Sequence, residues 1–415
     1  MDALRLLPAS ALPGAGRLVT TRAMRGFADG FVSVTLAVYL DDLGFSALRI
    51  GAIITSTLLG SALLTLLAGL YQGRIGGRRT LLCACALMAM TGIGFASFTA
   101  FWPIMAVAFV GTLNPSAGDV SVFLPIEQSL LAGRVAARDR TALFARYSLA
   151  GAFAGAFGAL AAGLPSLLAK TLDFDIETFH RAGFVAYGAI GAVCATVYLP
   201  LAFEGVAARA RGGLVESRRI VLRLSALFSL DSFGGGFAVQ AILALWLFKR
   251  FDLSTGEAGT IFFVAGLLTA SSQLVSSWLA SRIGLINTMV FTHIPANICL
   301  ILSALMPTAP LAIGFLLVRM AISQMDVPAR QSYVMAVVPE HERAAAASVT
   351  NVPRSLASAG APFLAGAMLS HTSFGWPLIC AGLLKIVYDL ILLAGFRSIR
   401  PPEEGSAVEA ASARN

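Results

Sequence analysis

The sequence contains few charged residues. Asp, Glu, Lys and Arg together make up 13% of the 415 residues, while hydrophobic residues make up 57%. Soluble domains carry about 25% charged residues. A composition this apolar excludes a soluble globular protein.

Lysine, histidine and cysteine are also scarce, which argues against several kinds of active site. None of the lysines (Lys170, Lys249 and Lys385) has the glycine spacing of an ATP-binding P-loop. The four histidines are scattered without metal-ligand spacing, and the five cysteines lie in apolar segments as packing residues. No catalytic constellation is present. We therefore predict no cofactor, no metal site and no enzymatic activity.

What the sequence has instead is a series of long apolar runs. About 20 consecutive apolar residues cross a bilayer as a helix, and these runs are too long and too uniformly apolar for the strands of a membrane barrel. The sequence therefore predicts an all-α membrane protein with twelve transmembrane helices, here called span 1 to span 12. In order, they cover residues 22–41, 47–71, 79–98, 102–131, 142–168, 182–204, 222–248, 258–280, 286–306, 309–337, 344–369 and 374–396.

The basic residues that give the net charge of +8 are unevenly distributed among the loops between these spans. Nineteen arginines lie in the two tails and alternate loops, and the opposite loops hold five basic residues, Arg49, Lys170, Arg181, Lys249 and Arg250. Positive charge marks the cytoplasmic side of a membrane protein, so both termini are predicted to be cytoplasmic. The orientation of the chain in the lipid bilayer thus explains the excess of positive charge, and no nucleic-acid partner is predicted.

Short sequences recur half a chain apart. Arg74-Ile75-Gly76 returns 208 residues later as Arg282-Ile283-Gly284, and Pro125 returns 203 residues later as Pro328. Recurrence in register indicates a duplicated unit. Each copy holds six spans, and an even number makes the two copies parallel in the membrane.

The predicted domains follow from this duplication. They are a cytoplasmic N-terminal tail at 1–21, a six-helix bundle at 22–204, a cytoplasmic linker at 205–221, a second six-helix bundle at 222–396 and a cytoplasmic C-terminal tail at 397–415.

Glycines mark two local features. Gly234-Gly235-Gly236 predicts that span 7 unwinds. In span 5, Gly151, Gly155 and Gly158 predict close packing against another helix.

The loop after span 2 resembles a family motif. Its pattern Gly-x-x-x-x-Arg-x-Gly-x-Arg begins at Gly69 and is similar to a cytoplasmic loop of the major facilitator superfamily. The parallel six-helix repeats and the basic linker extend the resemblance over residues 20–396. It implies a secondary transporter that works by alternating access, with a cavity lined mainly by spans 1, 4, 7 and 10.

Each of those four spans carries ionisable residues. The candidates for a proton and substrate cavity are Arg25, Asp29, Asp119, Asp231, Arg319 and Asp326. A charge at the bilayer centre costs roughly 3 kcal/mol, so such residues are functional candidates by default. The alternative is a structural ion pair between residues four apart, such as Arg25 with Asp29 or Lys385 with Asp389. An aspartate in an apolar wall can carry a proton, and Arg319 can hold a substrate anion or act as a counter-charge.

The second candidate site is a cytoplasmic gate. Its predicted residues are Gly69, Arg74, Gly76, Arg78, Glu127, Arg282, Gly284 and Arg330. Members of the family usually have an acidic latch residue where this chain has Gly73. The offset of 203 residues maps Glu127 onto Arg330, so we predict that this pair closes the cytoplasmic side instead. The alternative is that each residue pairs within its own half.

The sequence thus predicts a monomeric secondary transporter of the cytoplasmic membrane, which exports a small molecule in exchange for protons. Proton-coupled uptake of an organic anion is the first alternative, favoured if Arg319 anchors the substrate. A membrane-embedded enzyme or lipid-handling protein is the second alternative.

Overall fold

The computed structural model describes residues 7–8, 10–116, 121–132, 134–136, 139–201, 216–339 and 342–396. All regular secondary structure in these ranges is helical. The helices are α1 (Ala15–Asp42), α2 (Ala47–Ile75), α3 (Gly77–Ser97), α4 (Phe101–Val110), α5 (Phe123–Ala132), α6 (Arg140–Ala161), α7 (Leu164–Leu172), α8 (Ile176–Tyr198), α9 (Arg218–Gly236), α10 (Gln240–Phe251), α11 (Thr255–Ile283), α12 (Leu285–Leu305), α13 (Ala309–Ile322), α14 (Asp326–Ala336), α15 (Arg343–His371) and α16 (Trp376–Phe396).

Every predicted span coincides with one or two of these helices. Spans 4, 5, 7 and 10 each consist of two helices, and each of the other spans is one helix. In the part of the chain that the structure describes, nine helical segments are long and apolar enough to cross a membrane. Helix α1 is not among them; it contains Arg22, Arg25 and Asp29. The predicted all-α membrane fold is confirmed.

The interruptions in spans 4, 7 and 10 have local causes. After α4, Asn114 precedes Pro115, and the Asn114 side chain accepts a hydrogen bond from the Ser116 N–H, which holds a turn. Helix α9 ends at Gly236, within the predicted glycine triplet. Helix α14 begins at Asp326, and its first turn contains Pro328, where a missing N–H costs no helical hydrogen bond.

The chain divides into two compact units. Unit 1 comprises the described residues of Met1–Ala208, Val239–Leu267 and Pro362–Ser373. Unit 2 comprises those of Arg209–Ala238, Leu268–Ala361 and Phe374–Asn415. The predicted bundle boundaries, with a linker at 205–221, remain a prediction, and residues 202–215 of that linker lie outside the described residues.

In unit 1, α1 packs most closely on α6. A methyl group placed on Gly26 or Gly30 would overlap the backbone of α6, and one placed on Gly158 would overlap the carbonyl oxygen of Phe27. The glycines of span 5 therefore serve close packing, as predicted, because only a residue without Cβ lets the two backbones approach this far. This contact holds α1, and with it Arg25 and Asp29, against α6.

Unit 2 is built around α12 and α16. These two helices pack along each other, and α9, α13 and α14 join them. The core includes Phe228, Met289, Tyr333 and Tyr388. Three buried acidic side chains and the cations that hold them lie among these apolar residues.

Candidate functional site

Glu127 is the centre of a buried polar cluster in unit 1. Its carboxylate is fully buried and accepts hydrogen bonds from the hydroxyls of Thr21 (2.9 Å), Tyr147 (2.5 Å) and Tyr198 (2.5 Å). It also forms an ion pair with the guanidinium of Arg25. Four donors from α1, α6 and α8 thus compensate the cost of burying this charge.

Arg25 is fixed on several sides. Its guanidinium lies over the ring of Phe123, 4.0 Å from the centroid, and Nη1 lies 3.4 Å from the hydroxyl of Ser121. The predicted alternative, an Arg25–Asp29 pair, is wrong, because the guanidinium is held by Glu127 on α5 and not by its neighbour one turn along α1.

Asp29 is buried near this cluster but is not part of it. Asp29 is 8% exposed, and Arg25, Arg22 and Asn114 are the side chains that interact with its carboxyl group. Among the described residues it forms no ion pair. Arg25 and Arg22 act on this carboxyl from beyond ion-pair distance, and a buried carboxyl outside any ion pair is unusual in a membrane helix. The third acid predicted for this half, Asp119, lies outside the described residues.

Asp231 is the centre of a second cluster, in unit 2. Its carboxylate accepts hydrogen bonds from Lys385 Nζ at 2.6 Å and from Arg330 Nη1 at 3.1 Å. Arg330 Nη1 also lies 3.4 Å from Asp326, one turn away on α14. Asp231 and Asp326, predicted for the cavity, are thus both neutralised by buried cations in this conformation.

His293 and Asp389 adjoin that cluster. The Nδ1 atom of His293 lies 2.9 and 3.0 Å from the two carboxylate oxygens of Asp389, and Asn297 Nδ2 donates to Asp389 at 3.4 Å. The predicted Lys385–Asp389 pair is therefore wrong. Although the two residues are one turn apart on α16, Lys385 extends to α9 and Asp389 to α12.

Arg319 forms no ion pair among the described residues, although Asp231 and Asp326 of the second cluster act on it electrostatically. It lies in the last turn of α13, directly before the interruption of span 10. Its Nη1 atom lies 3.4 Å from the sulfur of Met320, and its buried Nε atom has no hydrogen-bond partner among the described residues. A half-buried guanidinium that makes no ion pair can bind an anion from outside the protein.

The loops of the predicted gate share one backbone feature. Gly76, between α2 and α3, and Gly284, between α11 and α12, both have φ of +84°. This conformation favours glycine, and its recurrence at equivalent positions supports the duplication. Arg78 and Arg282 are exposed, and Arg282 lies over the Trp278 ring at 4.9 Å. The backbones of Gly69 and Arg74 lie in α2, and the Arg74 side chain lies outside what the structure describes.

Glu127 and Arg330, the predicted gate pair, are both engaged inside their own units. Glu127 holds Arg25, and Arg330 holds Asp231 and Asp326. A pair between them stays a prediction for another conformation, in which each would have to leave these partners.

The two clusters lie on equivalent pairs of spans, but the positions of the cation and the anion are exchanged. In unit 1 a cation on span 1, Arg25, binds an anion on span 4, Glu127. In unit 2 an anion on span 7, Asp231, binds a cation on span 10, Arg330. Spans 1 and 7 correspond in the duplication, as do spans 4 and 10, so each repeat has kept an ion pair at the same pair of helices.

Comparisons with known proteins agree with this architecture. The family model described as Major Facilitator Superfamily matches residues 18–362. An uncharacterized membrane protein of Saccharomyces cerevisiae is 25% identical over 412 residues, which cover 89% of this chain and 91% of that protein.

Solved structures of transporters have the same fold. The nucleoside transporter NupG has a TM-score of 0.69 at 15% identity, covering 92% of this chain and 99% of that one. The xylose transporter XylE from E. coli has a TM-score of 0.71 at 13% identity, covering 95% and 99%. A bacterial homolog of the human lysosomal transporter Spinster has a TM-score of 0.69 at 14% identity, covering 92% and 94%.

Proposed function

The chain belongs to the Major Facilitator Superfamily, and we propose that it exports a small molecule across the cytoplasmic membrane in exchange for protons. It is a multi-pass membrane transporter of that family and not an enzyme. The export direction, the proton coupling and the particular membrane are the proposal.

The observation that carries the proposal is the state of Asp29. It is the buried acid on α1 that forms no ion pair among the described residues, in contrast to Glu127 and Asp231. An acid with its own cation is held in the charged form, whereas a buried acid without one can take up and release a proton. The neighbouring Asn114, at the interruption of span 4, can hydrogen-bond either form of the carboxyl group.

Asp29→Asn should abolish proton-driven transport and leave downhill exchange of substrate intact. Asparagine keeps the size and polarity of the side chain but cannot carry a proton. A growth-inhibition panel, comparing cells with and without the protein, identifies a substrate. Accumulation of that substrate in proteoliposomes is then measured with and without an imposed pH gradient.

The same measurement on Asp119→Asn and Asp231→Asn tests the other predicted acids. If all three variants keep full proton-driven accumulation, the assignment of the proton site to these aspartates is wrong. If Asp119→Asn alone loses it, the proton site moves from Asp29 to Asp119.

Proton-coupled uptake of an organic anion is a second candidate, and Arg319 favours it. The guanidinium is half-buried, with an Nε atom that lacks a partner among the described residues. Its planar fork can bind a carboxylate through two parallel hydrogen bonds, which an ammonium group cannot do.

Arg319→Lys separates this candidate from export of a neutral or cationic substrate. If Arg319 binds an anion, the lysine variant should lose about tenfold or more in apparent affinity, since a bidentate charged contact contributes more than 1.4 kcal/mol. Uptake of carboxylate compounds into proteoliposomes measures the effect. Wild-type affinity in the lysine variant would reduce Arg319 to a general counter-charge.

A further inference from the structure

Helices α9 and α15 of unit 2 pack side by side through three successive contacts. The hydroxyl of Ser225 donates to a backbone carbonyl oxygen of α15 at 2.7 Å. Further along, a methyl group placed on Gly236 would overlap the carbonyl oxygen of Ser358. Between these two contacts, Arg354 Nε donates to the hydroxyl of Ser232 at 3.0 Å. The place of Arg354 beside α9 is therefore fixed from both sides.

The equivalent position in unit 1 carries no charge. The offset of 203 residues maps Arg354 onto Gly151 of α6. In unit 1 a methyl group placed on Gly26 of α1 would overlap the backbone of Gly151. Glycine is thus sufficient for this contact between the first and fifth spans of a repeat, and helix packing alone does not explain an arginine there in unit 2.

Arg354 is half-buried and forms no ion pair among the described residues. Its Nη1 atom lies 3.5 Å from Oδ1 of Asn351, at the limit of a hydrogen bond. Asp231 and Asp326 act on it electrostatically, and Arg330 acts on it as a like charge. Because both acids are already bound by other cations, the positive charge of Arg354 has no anion of its own.

The depth of Arg354 indicates what kind of anion can reach it. Helix α15 begins at Arg343, so Arg354 lies about 16 Å along the helix at 1.5 Å per residue. The hydrocarbon core of a bilayer is about 30 Å thick, which places this residue near the middle of span 11, beyond the reach of lipid headgroups. A charge at such depth marks a functional residue, and its anion is a soluble molecule.

Three hydrogen-bond donors remain for such an anion. Nη2 of Arg354 has no partner among the described residues, and Nη1 has only the long contact with Asn351. Since the Ser232 hydroxyl accepts from Arg354 Nε, its own proton can be donated to a ligand. A planar guanidinium fork matches the two oxygens of a carboxylate.

We propose that Arg354 and Ser232 form a carboxylate-binding site in unit 2, through which the transported molecule is bound. The two Nη atoms donate to the carboxylate oxygens, and the Ser232 hydroxyl donates to one of them. Arg319, on α13, is not part of this site. The role in transport rests on the proposed function, whose substrate would then be an organic acid, but carboxylate binding itself does not.

The test uses the full-length protein in phosphatidylcholine nanodiscs. Thermal unfolding is followed at rising concentrations of acetate, succinate and benzoate, and of the corresponding amides. A ligand that binds the folded protein raises Tm with its concentration. At least one carboxylate should raise Tm while its neutral amide does not. No stabilisation by any of the three acids, or equal stabilisation by acid and amide, overturns the proposal.

Variants of the two residues locate the bound carboxylate. Arg354→Gln should abolish the stabilisation. Arg354→Lys and Ser232→Ala should each weaken the apparent Kd by about tenfold or more, because a hydrogen bond to a charged group contributes enough for that factor. Ser229→Ala is the matched control, since the Ser229 hydroxyl donates within α9, to the Ser225 carbonyl oxygen at 2.7 Å. Equal effects of Ser232→Ala and Ser229→Ala overturn the site.

Arg319→Gln tests the other arginine that forms no ion pair. If this variant loses the stabilisation while Arg354→Gln keeps it, the carboxylate binds at Arg319 and the proposal is wrong.

Stability without ligand distinguishes a binding role of Arg354 from a structural one. No acid loses an ion pair in Arg354→Gln, so the unliganded variant should unfold at the same temperature as the wild type or higher. A variant that fails to fold, or unfolds several degrees lower, assigns Arg354 to the fold and overturns the site.

These measurements use neither a pH gradient nor transport. Loss of carboxylate binding therefore leaves proton-coupled export untested by this experiment, and failure of Asp29→Asn to uncouple transport leaves the carboxylate site standing. The two proposals can fail independently.

Discussion

Glu127→Gln should lower the free energy of unfolding by about 3–5 kcal/mol, the cost of removing one partner from a buried ion pair. Glutamine keeps the shape of the side chain but not its charge, so Arg25 stays buried without a counter-ion. The Glu127 carboxylate also accepts hydrogen bonds from Thr21, Tyr147 and Tyr198. Because an amide has one acceptor oxygen and one donor group, some of these hydroxyls lose their acceptor.

The change in the free energy of unfolding can be measured by denaturant titration of the purified protein in micelles. Glu177→Gln is the matched control. Glu177 pairs with Arg181 at 2.5 Å, but both side chains are more than a third exposed. Exposed pairs contribute about 0–1 kcal/mol, so this variant should remain close to wild type. Equal effects of Glu127→Gln and Glu177→Gln would contradict the central role of Glu127.

The double variant Arg25→Gln/Glu127→Gln separates charge from shape. Each single variant leaves one buried charge without its partner, and the double variant leaves none. It should therefore be more stable than either single variant, with a coupling energy of about 1–3 kcal/mol. Additive losses would mean that the residues act independently.

The same contacts bear on the predicted gate between Glu127 and Arg330. Closing that gate would require Glu127 to leave Arg25, and Arg330 to leave Asp231 and Asp326. A pair that forms in one state and breaks in the other shifts the equilibrium only by its difference in energy between the states. The internal pairs thus oppose closing of the gate.

The fold could be predicted because its signals are local in sequence. The length of each apolar run determines where a helix can cross the bilayer, and the repeated glycines, Gly76 and Gly284, mark equivalent loops. The interruptions of spans 4 and 10 were harder to predict from the sequence. Prolines in membrane helices are tolerated where neighbours satisfy the freed backbone groups, so Pro115 and Pro328 alone did not show that the helices stop there.

The partners of the buried charges could not be predicted. Helical periodicity identifies only neighbours three or four residues apart, which led to the Arg25–Asp29 and Lys385–Asp389 pairs. The actual partners are distant in sequence: Arg25 and Glu127 are 102 positions apart, and Asp231 and Lys385 are 154 positions apart. Sequence reasoning also missed Tyr147, Tyr198 and the His293–Asp389 pair. For these, the one available signal was the presence of polar groups within apolar spans.

Gly158→Ala should destabilise the protein by about 2–3 kcal/mol, as expected for overpacking a close helix contact. The added methyl group would overlap the carbonyl oxygen of Phe27, and a backbone atom cannot move aside as a flexible side chain can. Helix α1 must therefore shift away from α6, which also displaces Arg25 and Asp29, so transport should fall together with stability.

Gly360→Ala, in α15, is the matched control: nothing lies within 4 Å of its added methyl group, and alanine favours helix by about 1 kcal/mol over glycine. Denaturant titration of both variants measures the difference, and a Gly158→Ala protein as stable as Gly360→Ala would show that the α1–α6 contact is looser than the structure has it.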